Sequence, residues 1–459
     1  MMPEMLKPSL DAGAVAEAEA ALRDANLAFA RRYPGDSARA QPVHTFIEGA
    51  QRFSFDVARR RAKEAMYALD TFAPTGEVFG RAMGIPDHPK LGTIMSRLRE
   101  KLDREPIEDY RIDFEDGFGV KTDADEDHEV ASVALEVSRG RRARSLPPSL
   151  GVRVKPLTEE LRGRATRTLD LLLTALAADG GLPSSWTITI PKVTVVEQVD
   201  YTVAVLRALE RSLGFGVGTL TFEIMIEVPQ AIIDRTGRSL VSPMVDAGDG
   251  RLTAITFGTY DYTAGVGITA AHQRLRHPAC DFAKNIIQVS LAGTGIHTSD
   301  GSTSRLPVPT HDGRPNTWTA AQRTENLASV HAGWRLHFDD VRYSLSTGFY
   351  QGWDLHAAQL VSRYAAVSSF YLEGMDAAAA RLKAFLDKAK NVALVGGILD
   401  EPATGQGLLS FFLRAMHAGA VSAPEVTART GLTSDELRER SMIAILRARG
   451  TPVDASPAR

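Results

Sequence analysis

Four apolar runs in this chain end on residues that can do chemistry. The run Tyr110-Arg111-Ile112 leads into Asp113-Phe114-Glu115-Asp116-Gly117, which puts three carboxylates within four residues. Carboxylates that close cannot all stay ionised in a dry site, so a metal, a bound water or an arginine must sit beside them. The run Phe222–Val228 carries Glu223 and Glu227 on one face, with Glu227 at its end. Glu223 lies deeper, where a structural ion pair with Arg111 is its expected use. Asp261 follows the run Ile255-Thr256-Phe257, one helical crossover after Glu227, so these two carboxylates can converge. Two hard oxygen ligands with no nearby cysteine and no H-E-x-x-H pattern suit Mg²⁺ or Mn²⁺, with positions left open for substrate oxygens. Arg153 alternates with Val152 and Val154 and therefore faces inward. There it can clamp a carboxylate bidentately, neutralise Glu115 or Asp116, or do both.

Other groups are weaker candidates. His297, read as closing the seventh strand, is a reserve general base, whereas His44 is expected to be structural. The stretch Gly293–Ser304 is rich in glycine and hydroxyls and could take an anion or serve as a mobile loop. Lys192 is expected to act structurally or electrostatically, since a metal pair makes a Schiff base unnecessary.

These residues need elements that bring them together. Short apolar runs at 43–47, 110–114, 151–154, 187–190, 221–226, 252–257, 289–296 and 349–355 alternate with helical patterns. Eight such units match an α/β architecture, a (β/α)8 TIM barrel, in which functional groups sit at the C-terminal strand ends. A doubly wound sheet is disfavoured, because neither G-x-G-x-x-G nor G-x-x-x-x-G-K-[ST] follows the first strand. The barrel is expected over residues 41–360, with an N-terminal helical extension (1–40) and a C-terminal helical appendage (361–459). Residues 12–32 read as a helix with Leu22, Leu27 and Phe29 as its apolar stripe, and the acidic run 123–129 as a solvated first helical turn. Residues 358–388 and 405–418 read as helices, and Thr433–Glu436 as a capping box that opens another. The stretch Pro424–Leu437 faintly resembles a helix-turn-helix, though a lid or an oligomer contact is its expected role.

Composition removes several function classes. Of 459 residues, 44% are hydrophobic and 24% charged, enough to build a large core. With 53 Lys and Arg against 56 Asp and Glu, the net charge is −3, which provides no basic field for nucleic acid or anionic membrane. The single cysteine, Cys280, excludes an internal disulfide and fits a reducing, cytoplasmic location. Residues 1–10 lack the layout of a secretory signal, and the run Asn391–Leu399 is too short to span a bilayer.

Six short signatures in order give the chain a family likeness: D-F-E-D-G (113–117), V-R-V (152–154), I-P-K-V (190–193), I-E (226–227), F-G-x-x-D (257–261) and G-W-D-L-H (352–356). Together they resemble the HpcH/HpaI aldolase and citrate lyase β-subunit (CitE-like) superfamily, a group of pyruvate and phosphoenolpyruvate-type barrels. The resemblance implies Mg²⁺ (or Mn²⁺) on Glu227 and Asp261, and a 2-oxo-acid or acyl carbonyl engaged by Arg153. Gly258 and Thr259, within the F-G-x-x-D segment, are further substrate-binding candidates, and Glu115, Asp116 and, in reserve, His297 are candidates for handling water or protons. The resemblance also implies reversible carbon–carbon cleavage through a metal-stabilised enolate, in a homo-oligomer of the trimeric or hexameric kind. Asp116 stands where the hydroxy-oxo-acid aldolases carry a histidine, which brings the chain nearer the citrate lyase and malyl-CoA lyase branch. Tyr262–Gly267 lacks that branch's usual second Asp, and Ala357 replaces its usual Pro after the late histidine, so a divergent subfamily is expected.

The expected activity is therefore a Mg²⁺-dependent lyase or aldolase acting on a 2-oxo-acid, hydroxy-acid or hydroxyacyl-CoA. The alternatives are a phosphoenolpyruvate-using or Claisen-type transferase on the same barrel, and a non-catalytic metabolite-binding module.

Overall fold

Short segments in which buried apolar side chains alternate with inward-facing ones build the centre of the molecule. The computed structural model describes residues 13, 15–35, 37, 39–387, 393–395, 398–400 and 402–450. Its main sheet is a closed parallel barrel of β1 (His44–Gly49), β2 (Asp109–Asp113), β3 (Ser149–Arg153), β4 (Trp186–Ile190), β5 (Phe222–Ile226), β6 (Leu252–Phe257), β7 (His297–Ser302) and β8 (Gln351–Asp354). β8 pairs back onto β1, with Thr45 opposite Trp353, which closes the cylinder. Helices cross between successive strands, as the alternating pattern requires.

The outward strand residues Phe46, Ile112, Val152, Ile188, Ile224, Ile255 and Phe257 are buried in one continuous apolar core with the surrounding helices. Each such side chain contributes about 1.5–3 kcal/mol by leaving water. The barrel interior is polar instead. Arg111 donates to Asp109 at 2.8 Å, to Thr189 at 2.8 Å and to Glu223 at 3.0 Å, and Gln351 reaches Thr45 at 2.9 Å. The Arg111–Glu223 pair is the structural ion pair expected of Glu223. Each charge here has a partner, without which its burial would cost several kcal/mol.

The seventh strand departs from the sequence reading. Residues 278–291 form a helix, and β7 is the polar segment His297-Thr298-Ser299-Asp300-Gly301-Ser302. His297 thus opens its strand instead of closing it, and lies at the rim opposite the strand ends where the carboxylates gather. Half of the stretch Gly293–Ser304 is strand, with turn and irregular backbone on either side of it. β7 tolerates its polar sequence because Asp300 is buried with partners, accepting from Lys284 at 3.2 Å and from the Ser344 hydroxyl at 2.6 Å.

The flanking helices form at the expected places. The N-terminal helix spans Ala16–Arg32, buries none of its residues, and leaves Leu22, Leu27 and Phe29 exposed. The helix Asp123–Ala143 has Asp123, Asp125 and Glu126 in its first turn, but Glu126 is buried and paired with Lys155 at 2.9 Å, so that turn is only partly solvated. The long helix Gln359–Asp387 receives Pro402–His417 and Ala423–Thr430 against it, and Glu425 reaches Arg97 at 2.6 Å. Thr433 caps Ser434–Glu439 in a capping box. Residues 1–10 and part of the run 391–399, which the sequence reading used, lie outside the described residues. No described helix is long and apolar enough to cross a membrane.

Candidate active site

At the C-terminal strand ends the barrel opens into a cavity of about 490 Å³. Asp113, Asp116, Arg153, Glu227, Gly258, Thr259 and Asp261 all line it. Residues from β2, β3, β5 and β6 therefore meet at one mouth. His297 does not line the cavity, in keeping with its place at the start of β7. Among the described residues, none from the C-terminal helices lines it.

Glu227 follows β5 directly and is 3% exposed. One carboxyl oxygen accepts the Lys192 backbone N–H at 2.8 Å. Burial, reinforced by the neighbouring Asp261 charge, outweighs the attraction of Lys192 and pushes Glu227 up to about 7. Gly258 makes this placement possible, because a Cβ there would collide with the Glu227 side chain. Asp261 lies in the first turn of the short helix Thr259–Gly265, with its side chain 47% exposed and 3.6 Å from the Lys192 ammonium. The two carboxylates thus share one rim and one neighbour.

The D-F-E-D-G segment divides its labour. Asp113 accepts the backbone N–H groups of Glu115 at 2.9 Å and Gly117 at 2.7 Å, fixing the turn after β2. The same carboxylate takes a bidentate pair from Arg153, at 2.7 Å from Nε and 2.6 Å from Nη2. Arg153 Nη1 also stands 3.2 Å from Glu115. The sequence reading paired Arg153 with Glu115 or Asp116, and the structure adds Asp113 as its main partner. A guanidinium has five N–H groups, so Arg153 keeps donors for a ligand. Glu115 also contacts the Lys192 ammonium, and its carboxyl is raised by burial. Asp116 is the more open carboxylate. Burial opposes ionisation there, but its contacts with Glu115 and Lys192 hold it below the usual range.

Lys192, expected to act structurally or electrostatically, is a centre of the site's ion pairs. It follows β4 and Pro191, adopts a left-handed backbone with φ of +52°, and its ammonium contacts Glu115, Asp116 and Asp261. A non-glycine residue in that region costs about 1–2 kcal/mol. The compensation is visible, since its N–H binds Glu227 while its side chain crosses to the β2 turn. Burial works against the charge, but the Glu115 contact outweighs it and keeps Lys192 protonated. Gln51, Arg52, Thr256 and Trp353 in the same wall were not singled out in the sequence.

Among the described residues no group of three or more His, Cys, Asp and Glu side chains is arranged to hold a metal. Glu227 and Asp261 still fit a hard divalent cation that takes few ligands from protein and the rest from water and substrate. Their carboxylates face one cavity, and the buried one is held by a backbone N–H with no ion pair of its own within 4 Å among the described residues.

A family model described as a domain of unknown function (DUF6986) matches residues 22–445. No curated protein sequence matches the chain. Among solved structures, a citrate lyase from Burkholderia xenovorans superposes with a TM-score of 0.54 at 18% identity, over 86% of this chain and 97% of that one. Haloferax volcanii malate synthase gives 0.46 at 14% identity, over 89% and 99%. An HpcH/HpaI aldolase from Desulfitobacterium hafniense gives 0.36 at 12% identity, over 70% and 89%. The citrate lyase likeness is one of fold, and at that level the resemblance read from the six signatures holds.

Proposed function

The chain belongs to the DUF6986 family, and from its fold and its strand-end carboxylates we propose that it is a divalent-metal-dependent carbon–carbon lyase acting on a 2-oxo-acid, hydroxy-acid or hydroxyacyl-CoA. The observation that carries this reading is Glu227, a buried carboxylate raised to about 7, which lines the same cavity as Asp261 and Arg153. Such a group is a poor choice for stability alone and a good one for binding a cation.

Glu227 and Asp261 would hold Mg²⁺ or Mn²⁺, which supplies Lewis-acid stabilisation to the substrate oxygen that gains negative charge. The chain's own residues do the rest. Arg153, fixed by Asp113 and Glu115, directs a remaining N–H at that oxygen or at the substrate carboxylate. Gly258 and Thr259 border the bound acid. Asp116, the open carboxylate of the β2 turn, accepts the proton from the substrate hydroxyl, directly or through a water. As it does so the carbon–carbon bond breaks, its electron pair moves into the 2-oxo group or, in an acyl-CoA, the thioester carbonyl, and a carbonyl product leaves. Asp116 then returns the proton to the enolate carbon, directly or through the same water, and is again a carboxylate. Glu115 stays engaged with Lys192 and Arg153 and keeps both cations in place.

The test is a screen of 2-oxo-acids with aldehydes, alongside hydroxyacyl-CoA thioesters, with Mg²⁺ or Mn²⁺ added and then chelated. Turnover that needs the metal, and that Glu227→Gln abolishes without unfolding the chain, supports the proposal. A chain that turns over none of these with either metal is not a lyase of this kind.

A further inference from the structure

The N-terminal helix Ala16–Arg32 leaves every one of its 17 residues exposed. Its last turn is tied to the barrel by Arg32, which reaches Asp246 at 2.9 Å. Between its last turns and the N-terminal ends of β6 and β7 lies a cavity of about 880 Å³, so the helix does not pack on the barrel there. A helix of this length is marginal in water by itself, and in proteins most of its stability comes from packing an apolar face.

The helix carries a face that matches a like helix. Val15, Ala18, Leu22, Ala25 and Phe29 follow one another at intervals of three and four residues, the repeat of a two-helix seam. Leu22 is 61% exposed and Phe29 58%. Leu27, although apolar, lies about 140° around the helix from Leu22 and outside the seam. Large and small side chains alternate along this face. In an antiparallel pair Leu22 of one copy therefore meets Ala25 of the other, and Phe29 meets Ala18, so that each large side chain fills the space over a small one.

Charge favours the same direction. Glu17 and Glu19 lie in the first turn and Arg31 and Arg32 in the last. An antiparallel pair sets the acidic end of each copy beside the basic end of the other, whereas a parallel pair aligns like charges and like dipole ends. The match is of the helix with itself, which a two-fold contact uses twice. We propose that the N-terminal helix is a pairing element, through which two copies of this chain associate by antiparallel contact of the face bearing Ala18, Leu22, Ala25 and Phe29.

A contact of this length, about 25 Å, is smaller than a standard interface, so a micromolar dissociation constant is expected. Sedimentation velocity of the full chain across that concentration range measures it. Leu22→Glu together with Phe29→Glu is expected to weaken association about a hundredfold or more, since each pair loses four buried apolar side chains. Leu27→Glu should leave it within about twofold, because that residue lies outside the seam. Glu17→Lys with Glu19→Lys should weaken self-association about tenfold, as should Arg31→Glu, and an equimolar mixture of these two variants should associate about as well as the unmodified chain. Recovery in the mixture separates pairing from damage to the helix itself, which a partner carrying a complementary charge would not repair. A chain that stays monomeric across the range overturns the proposal. So does an association that survives Leu22→Glu with Phe29→Glu, one that Leu27→Glu weakens equally, or a mixture that does not recover.

Discussion

Lys192 donates its backbone N–H to Glu227 at 2.8 Å while its ammonium lies against Glu115 on the opposite side of the mouth. One residue thereby joins the turns after β2, β4 and β5, and its left-handed backbone is the strain that this geometry requires. Replacing Lys192 with Gly or Ala removes the same ion pairs, so the two variants differ mainly in backbone freedom. Glycine, ordinarily the less stable choice, is expected to be the more stable here by about 1 kcal/mol in chemical denaturation. An alanine variant as stable as the glycine variant would show that φ at 192 carries no strain. Both variants are expected to lose about 100-fold or more in kcat/KM, because Glu115 and Glu227 lose their shared positioning.

Glu227 gives the metal-free protein a distinct pH signature. Its folded value of about 7 lies above the ordinary carboxylate value, so the folded state holds this proton more tightly than the unfolded state. That contribution is fully present below the unfolded value of about 4.3 and is lost as pH rises through the folded value. Relative to Glu227→Gln, the metal-free protein is expected to be about equally stable at pH 4 and about 3 kcal/mol less stable at pH 8. Added Mg²⁺ should narrow the difference at pH 8. Urea denaturation of both proteins at the two pH values, with and without the metal, measures it. A difference that does not vary with pH would remove Glu227 as an unpaired buried acid.

Asp354, at the end of β8, shows the opposite sign. His44 Nδ1 stands 2.8 Å away, His337 Nε2 3.0 Å, and Arg363 donates at 2.9 Å, all between the barrel and its helices. Burial alone would raise this carboxyl, but Arg363, then His337 and His44, hold it well below the usual carboxylate range. Its stabilisation is therefore present above the unfolded value of about 3.9 and is lost as pH falls through the folded one. Asp354→Asn leaves Arg363 buried without its partner and is expected to cost about 3–5 kcal/mol at pH 7, and much less in strong acid. Thermal unfolding across pH reads this directly. A Tm at pH 7 equal to that of the unmodified chain would mean the cluster contributes nothing.

Most of the barrel was legible because six of its strands, β1 to β6, bury apolar side chains against the surrounding helices. The run 252–257, for example, coincides with β6. The seventh was misplaced for a physical reason. The apolar residues near 289 belong to a helix whose Phe282 and Val289 face outward at 51% and 79% exposure. β7 itself satisfies its burial with hydrogen bonds to Lys284 and Ser344, which hydrophobic periodicity does not register. The carboxylates of the site were readable because each lies within four residues of the end of its strand. Lys192 and Trp353 were less so, since a lone lysine after proline and a tryptophan at a strand end also suit ordinary structural roles. Only their neighbours in space reveal the contact of Lys192 with Glu227 and the place of Trp353 in the cavity wall.

The most direct measurement is anomalous diffraction from crystals grown with Mn²⁺, for the unmodified chain and for Asp261→Asn. The expected result is one Mn²⁺ peak with an oxygen of Glu227 and an oxygen of Asp261 each about 2.1 Å away. That peak should be weaker or absent in Asp261→Asn, whose fold should be unchanged because residue 261 is half-exposed. A peak elsewhere, or no peak beside Glu227 at millimolar Mn²⁺, would contradict a shared cation at the barrel mouth.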